Sequence, residues 1–139
     1  MTMKRLSLLL VAMLVCCVAF GGELKYATSY NLPYKESKDA YVSERCRLDV
    51  YYPEDTTGCP VVVWFHGGGL TSGSKSFPWK LKENKMVLVA VNYRLLPKVN
   101  IDECLDDAAA AVAWVFREAG KYGAIRRRYS FPAIPPEVI

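Results

Sequence analysis

The chain has 139 residues, a length that fits about one domain. Hydrophobic residues make up 52% and charged residues 23%, which excludes wholesale disorder and collagen-like or coiled-coil architectures. The formal charge of +4 sits at the ends: residues 22–123 carry 13 basic and 13 acidic side chains, so no nucleic-acid footprint is expected.

Residues 1–21 read as a signal peptide. Lys4 and Arg5 precede an apolar stretch from Leu6 to Phe20 interrupted only by Ser7, and the small residues Ala19, Gly21 and Gly22 follow. The run is shorter than the roughly 20 residues a membrane-spanning helix needs. Export to the periplasm or the exterior is therefore expected, with no stable membrane span after cleavage. Lipid attachment at Cys16 or Cys17 is disfavoured, because Val15 and Cys16 stand where a small residue should precede the modified cysteine. Cleavage leaves Cys46, Cys59 and Cys104, without a Cys-x-x-Cys pair and with one histidine in the chain. That set supports neither a zinc site nor a stapled scaffold, and buried single thiols are expected over one bridge. No metal or cofactor is implied.

Residues 22–123 form the folded part. Leu24 to Lys38, broken by Asn31 and Pro33, can supply an edge strand. From Cys46 to Tyr52 the residues alternate, with Leu48, Val50 and Tyr52 on one face and Arg47, Asp49 and Tyr51 on the other, the pattern of a half-buried strand. Turn residues Asp55, Thr56, Thr57 and Gly58 lead into Val61 to Phe65, which does not alternate and reads as a central strand covered on both faces. Met86 to Val91 repeats that character, and Phe77 to Asn84 between the two is a candidate short helix. A long helix follows, with Asn100 as its cap, Ile101, Leu105, Ala108, Ala109, Val112, Phe116 and Ala119 as an apolar stripe, and Gly120 or Gly123 as its end. Acidic residues fill its early turns and Arg117 and Lys121 its late ones, matching the helix dipole. Strands alternating with a helix predict an α/β sheet, in which a right-handed crossover delivers the next parallel strand immediately after Gly123.

His66, Gly67, Gly68 and Gly69 stand at the carboxyl end of the Val61 to Phe65 strand, where open α/β sheets place their ligands. Consecutive glycines let backbone amides approach a ligand unobstructed by Cβ atoms and hold a developing negative charge. With Leu48-Asp49-Val50-Tyr51-Tyr52-Pro53, Val91-Asn92-Tyr93-Arg94-Leu95, Asp107 in an Ala-rich helix and Lys121-Tyr122-Gly123, in that order, residues 45–123 resemble the HGGG, hormone-sensitive-lipase-like class of α/β-hydrolase-fold carboxylesterases and lipases. The resemblance implies an incomplete α/β-hydrolase sheet that holds the N-terminal strands, the oxyanion loop and the first long helix and stops before the nucleophile elbow. It implies that Gly68 and Gly69 supply oxyanion-hole amides, with Gly67 shaping the turn. His66 would brace the loop and not act as the base, Tyr93 and Arg94 would hold the neighbouring strand end, and Asp107 would be a surface or buried ion-pair residue.

That family's chemistry also needs a serine within Gly-x-Ser-x-Gly, a later acid and a final histidine. None of these is present, so no turnover by this chain alone is expected. Residues 124–139 instead read as a non-homologous tail with three arginines and three prolines where a buried strand is due. Reverse translation, slipped back by one base, permits Gly-Asp-Pro over Ala124 to Arg126 and Phe-Val-Ser-Gly-His-Ser-Ala-Gly-Gly-Tyr over Ser130 to Ile139, a strand ending in the nucleophile motif. The tail is thus expected to be frameshifted. Two functions compete: the N-terminal fragment of a secreted serine esterase acting on small-molecule or carbohydrate esters, and a secreted non-catalytic binding protein on the same scaffold.

Overall fold

The computed structural model describes residues 23–125. The signal peptide expected at residues 1–21 and the tail from residue 126 onward lie outside the described residues. Four strands, β1 (Tyr26–Pro33), β2 (Arg47–Pro53), β3 (Val61–Phe65) and β4 (Val87–Val91), and two helices, α1 (Ala40–Arg45) and α2 (Ile101–Glu118), make up the fold. The strands form one mixed sheet in the order β1-β2-β4-β3, antiparallel except for the parallel β3–β4 pair. This is the incomplete α/β-hydrolase sheet that the motifs imply.

β4 is the most buried strand: Val87 to Val91 is wholly inside, as its unbroken apolar run requires. On one face of the sheet Leu48, Val50, Val87, Val89 and Val91 pack against Ala111 and Val115 of α2. The other face of β2 is covered as well, which corrects the half-buried expectation. Asp49 and Tyr51 are buried because the segment after the glycine loop folds back over them, bringing Lys75 onto Asp49 and Phe77 against the Tyr51 ring. Alternation along a strand records which residues are polar, and a polar side chain under a covering loop is buried all the same.

Between β3 and β4 the candidate helix is only a single 3-10 turn, Trp79–Leu81. Helix α1 has no counterpart among the sequence expectations. Its six residues are nucleated by Asp39, whose carboxylate accepts from the Tyr41 and Val42 amides. Helix α2 starts as expected, with Asn100 and Glu103 closing a reciprocal capping box. It relaxes into a 3-10 turn, Ala119–Tyr122, and Gly123 ends it in a left-handed conformation at φ 79°, where a Cβ would collide with the Thr56 carbonyl oxygen.

The buried line of α2 differs from the expected stripe. Cys104, Asp107, Ala111, Val115 and Ala119 face the sheet, whereas Ile101, Leu105 and Phe116 are 55%, 62% and 70% exposed. Small residues let the helix approach the sheet closely, and Asp107 tolerates burial because it is ion-paired. Periodicity alone cannot choose between two adjacent apolar lines.

After Gly123 the chain pairs with the segment preceding β3. Ala124 bridges Cys59 in parallel, with the Cys59 amide donating to the Gly123 carbonyl at 3.0 Å and the Ile125 amide to the Cys59 carbonyl at 2.8 Å. This isolated bridge has the parallel sense expected of a strand that follows the crossover. Only that first bridge is among the described residues, so β3, expected as a central strand, has its full length paired with β4 alone and leaves Trp64 41% exposed. The thiols of Cys46, Cys59 and Cys104 are buried and unbridged.

Candidate active site

Parallel pairing places the ends of β3 and β4 level, with Phe65 opposite Val91, so the segments leaving both strands meet at one edge of the sheet. His66, Gly67, Gly68 and Gly69 leave β3 there, and Asn92, Tyr93 and Arg94 leave β4. The two are tied together. The Tyr93 hydroxyl donates to the His66 carbonyl at 2.9 Å, and the Leu96 amide to the Leu70 carbonyl at 2.9 Å. Burial pushes the Tyr93 phenol up, which keeps it a donor.

The orientation of the glycine amides follows from what their carbonyls do. His66 Nδ1 lies 2.8 Å from the Gly67 carbonyl oxygen, and since a carbonyl only accepts, the ring proton is on Nδ1. The Gly68 carbonyl accepts from the Thr71 amide at 3.1 Å, the Ser72 amide at 3.2 Å and both of their hydroxyls. In a trans peptide the N–H points opposite to the C=O of the same unit. Anchoring the Gly67 and Gly68 carbonyls therefore turns the Gly68 and Gly69 amides away from the loop interior. Among the described residues neither amide, nor that of Gly67, donates a hydrogen bond. Two neighbouring exposed donors on one fixed turn can bind an anionic oxygen.

Glycine is required in this turn for a steric reason. At Gly68, φ is 117° and a Cβ would collide with the Ser72 carbonyl oxygen. Gly73, which the sequence reading passed over, closes the loop against His66, where a Cβ would collide with Nδ1 and the Gly67 carbonyl oxygen. The only sequence trace of its role is a further glycine shortly after the triplet.

His66 is buried, its ring stacked on Tyr93 at 4.6 Å between centroids and 9° between planes. Its Nδ1 is committed to the Gly67 carbonyl, and its Nε2 faces the Arg45 guanidinium at 3.5 Å. Asp107 is a buried ion-pair residue. It accepts from the Arg94 amide, Nε and Nη2 and from Lys35 Nζ at 2.6 Å. Burial alone would raise this carboxyl, but the hydrogen bonds from Arg94 and Lys35 outweigh it and hold the group below the usual carboxylate range. On the far side of the loop, Lys75 Nζ grips both oxygens of Asp49 at 2.7 and 2.8 Å and the Asn31 side chain at 2.9 Å. Beside the loop a pocket of about 150 Å³ is lined by Phe65, Leu70, Tyr93, Ile101, Leu105 and Ala108, with Cys104 at its wall.

The BD-FAE family model matches residues 48–129, more than half of the chain. The chain belongs to the BD-FAE family. With its relatives this places it among α/β-hydrolase carboxylesterases. It is 30% identical over 97 residues to a probable isoprenylcysteine alpha-carbonyl methylesterase of Arabidopsis thaliana, covering 66% of this chain and 20% of the relative. A secreted lipase of Gibberella zeae is 33% identical over 112 residues, covering 60% of this chain and 21% of the lipase. Among solved structures, esterase B of Lactobacillus rhamnosis superposes with a TM-score of 0.61 at 21% identity, covering 87% of this chain and 40% of that one. This BD-FAE family chain therefore spans only a fifth to two fifths of the length of these relatives. No helix among the described residues is long and apolar enough to cross a membrane.

Proposed function

We propose that this chain is the N-terminal part of an exported serine carboxylic-ester hydrolase and carries its oxyanion hole. In the intact enzyme a serine alkoxide attacks the ester carbonyl, the tetrahedral oxyanion is held by the Gly68 and Gly69 amides, the alcohol leaves, and water hydrolyses the resulting acyl-enzyme to release the acid. The reading rests on the anchored Gly67 and Gly68 carbonyls, which leave those two amides turned outward and without partners among the described residues. The relatives named as a methylesterase and a lipase support ester substrates, and the proposed range takes in small-molecule and carbohydrate esters. Residues 1–21 export the chain. Within these 139 residues there is no Gly-x-Ser-x-Gly motif, and the sole histidine braces the loop, so the chain by itself does not turn over esters.

The missing nucleophile belongs to a shifted frame of the tail. The shifted reading carries Gly-His-Ser-Ala-Gly directly after Phe-Val-Ser, a strand string that ends in the nucleophile motif. The test is to sequence the coding nucleotides, restore the frame and assay p-nitrophenyl acetate. The expected result is hydrolysis by the restored enzyme and none by the 139-residue chain. A stop codon soon after the serine in the shifted frame, or an inert restored protein, overturns the reading.

A further inference from the structure

Arg45, the last residue of α1, touches all three segments that converge on the glycine loop. Its Nε donates to the Tyr93 carbonyl at 3.0 Å, where the chain leaves β4. Its Nη2 donates to the Gly73 carbonyl at 3.1 Å, where the loop returns, and faces His66 Nε2 at 3.5 Å, where the chain leaves β3. A guanidinium has donors only, so the imidazole nitrogen facing it presents its lone pair. The single ring proton is then on Nδ1, the nitrogen that holds the Gly67 carbonyl at 2.8 Å.

We propose that Arg45 is a positioning residue for the oxyanion loop: by facing His66 Nε2 it selects the Nδ1–H tautomer, which anchors the Gly67 carbonyl and thereby turns the Gly68 amide outward. This rests on the reading of the Gly68 and Gly69 amides as the oxyanion hole. The planar fork is essential to the role, since its nitrogens reach acceptors on three separate segments. A lysine ammonium is a single point charge and cannot span all three.

His66 is the only histidine of the chain, so its ring can be observed without interference. The full chain is labelled with 15N-histidine, and the tautomer is read from long-range 15N–1H correlations, together with the Gly68 amide shift. In the unmodified chain one signature is expected, protonated Nδ1 with unprotonated Nε2. Arg45→Met and Arg45→Lys are expected to lose it to a mixture of tautomers and to move the Gly68 amide. Arg47→Met is the control. Arg47, two residues away, also donates to two backbone carbonyls, those of Ser43 and Asn31, and its hydrogen bonds bypass the loop.

A folded Arg45→Met or Arg45→Lys chain that keeps the pure Nδ1–H signature overturns the proposal, as does an equal change in Arg47→Met. Collapse of both Arg45 variants while Arg47→Met folds assigns Arg45 to stability instead and overturns it too. The readout needs no ester, so it is separable from the functional reading. An inert frame-restored enzyme defeats that reading whatever the ring shows, and a ring indifferent to Arg45 defeats this proposal even where hydrolysis is restored.

Discussion

Arg94 and Asp107 meet fork to fork, Nε to Oδ2 at 2.9 Å and Nη2 to Oδ1 at 2.9 Å, and the Arg94 amide adds a third bond to Oδ2. This pair joins the segment leaving β4 to the buried side of α2, so it fixes the helix against the strand end that carries Tyr93. The hydrogen bond to Asp107 holds the guanidinium firmly protonated against the cost of its burial.

Asp107→Asn leaves Arg94 and Lys35 facing a neutral amide in a fully buried position. Breaking one side of a buried pair costs about 3–5 kcal/mol. Urea denaturation should show the midpoint falling by that equivalent, with the slope unchanged.

The same carboxyl predicts a pH dependence. It titrates below its unfolded value of about 3.9, because the Arg94 and Lys35 bonds override the opposing effect of burial. Its stabilising contribution is complete above the unfolded value and is lost as pH falls through the folded one. The stability gap between the unmodified chain and Asp107→Asn should therefore close below about pH 4, measured by denaturation at stepped pH.

Alanine substitutions separate Gly67 from Gly68 by geometry. Gly67 has no positive φ, and nothing lies within 4 Å of a Cβ built there, so Gly67→Ala should fold normally. Gly68→Ala meets both left-handed strain and the Ser72 carbonyl, and should lose about 1–3 kcal/mol or rearrange the loop. Thermal melts of the two variants side by side check the contrast.

Lys75→Met removes the cation that caps Asp49 under the loop, at side-chain exposures of 12% and 9%. The carboxylate keeps only the Asn31 amide as a donor. A loss of about 3–5 kcal/mol is expected, with faster limited proteolysis between Gly67 and Phe77 than in the unmodified chain.

Burial pushes the Cys46 and Cys104 thiols up, and neither is bridged. Iodoacetamide at neutral pH should spare both in the native chain and modify both in denaturant, as read by peptide mass mapping.

What was legible in the sequence was local. The unbroken apolar run of β4, the Asn100 cap and the Gly123 stop each depend on residues a few positions apart, and each stands where expected. The glycine triplet was legible because its residue types are contiguous. The long-range contacts around it were not: Arg45 reaches His66 across 21 positions and Lys75 reaches Asp49 across 26, and no periodicity records such encounters. The burial of Asp49 and Tyr51 was hidden for the same reason, since it depends on a loop that arrives from elsewhere. The line of α2 that faces inward was hidden because Leu105 is as apolar as its buried neighbour Cys104, and only closeness of approach to the sheet distinguishes them.

The parallel bridge between Cys59 and Ala124 makes the outer margin of β3 a seam. The crossover is already closed when the chain reaches Ile125, so a separate polypeptide beginning with a strand could zip onto the margin without threading through any loop. If the proposed function holds, that joint divides the enzyme into one piece bearing the amides and one bearing the nucleophile, a split reporter whose signal appears only when they reunite.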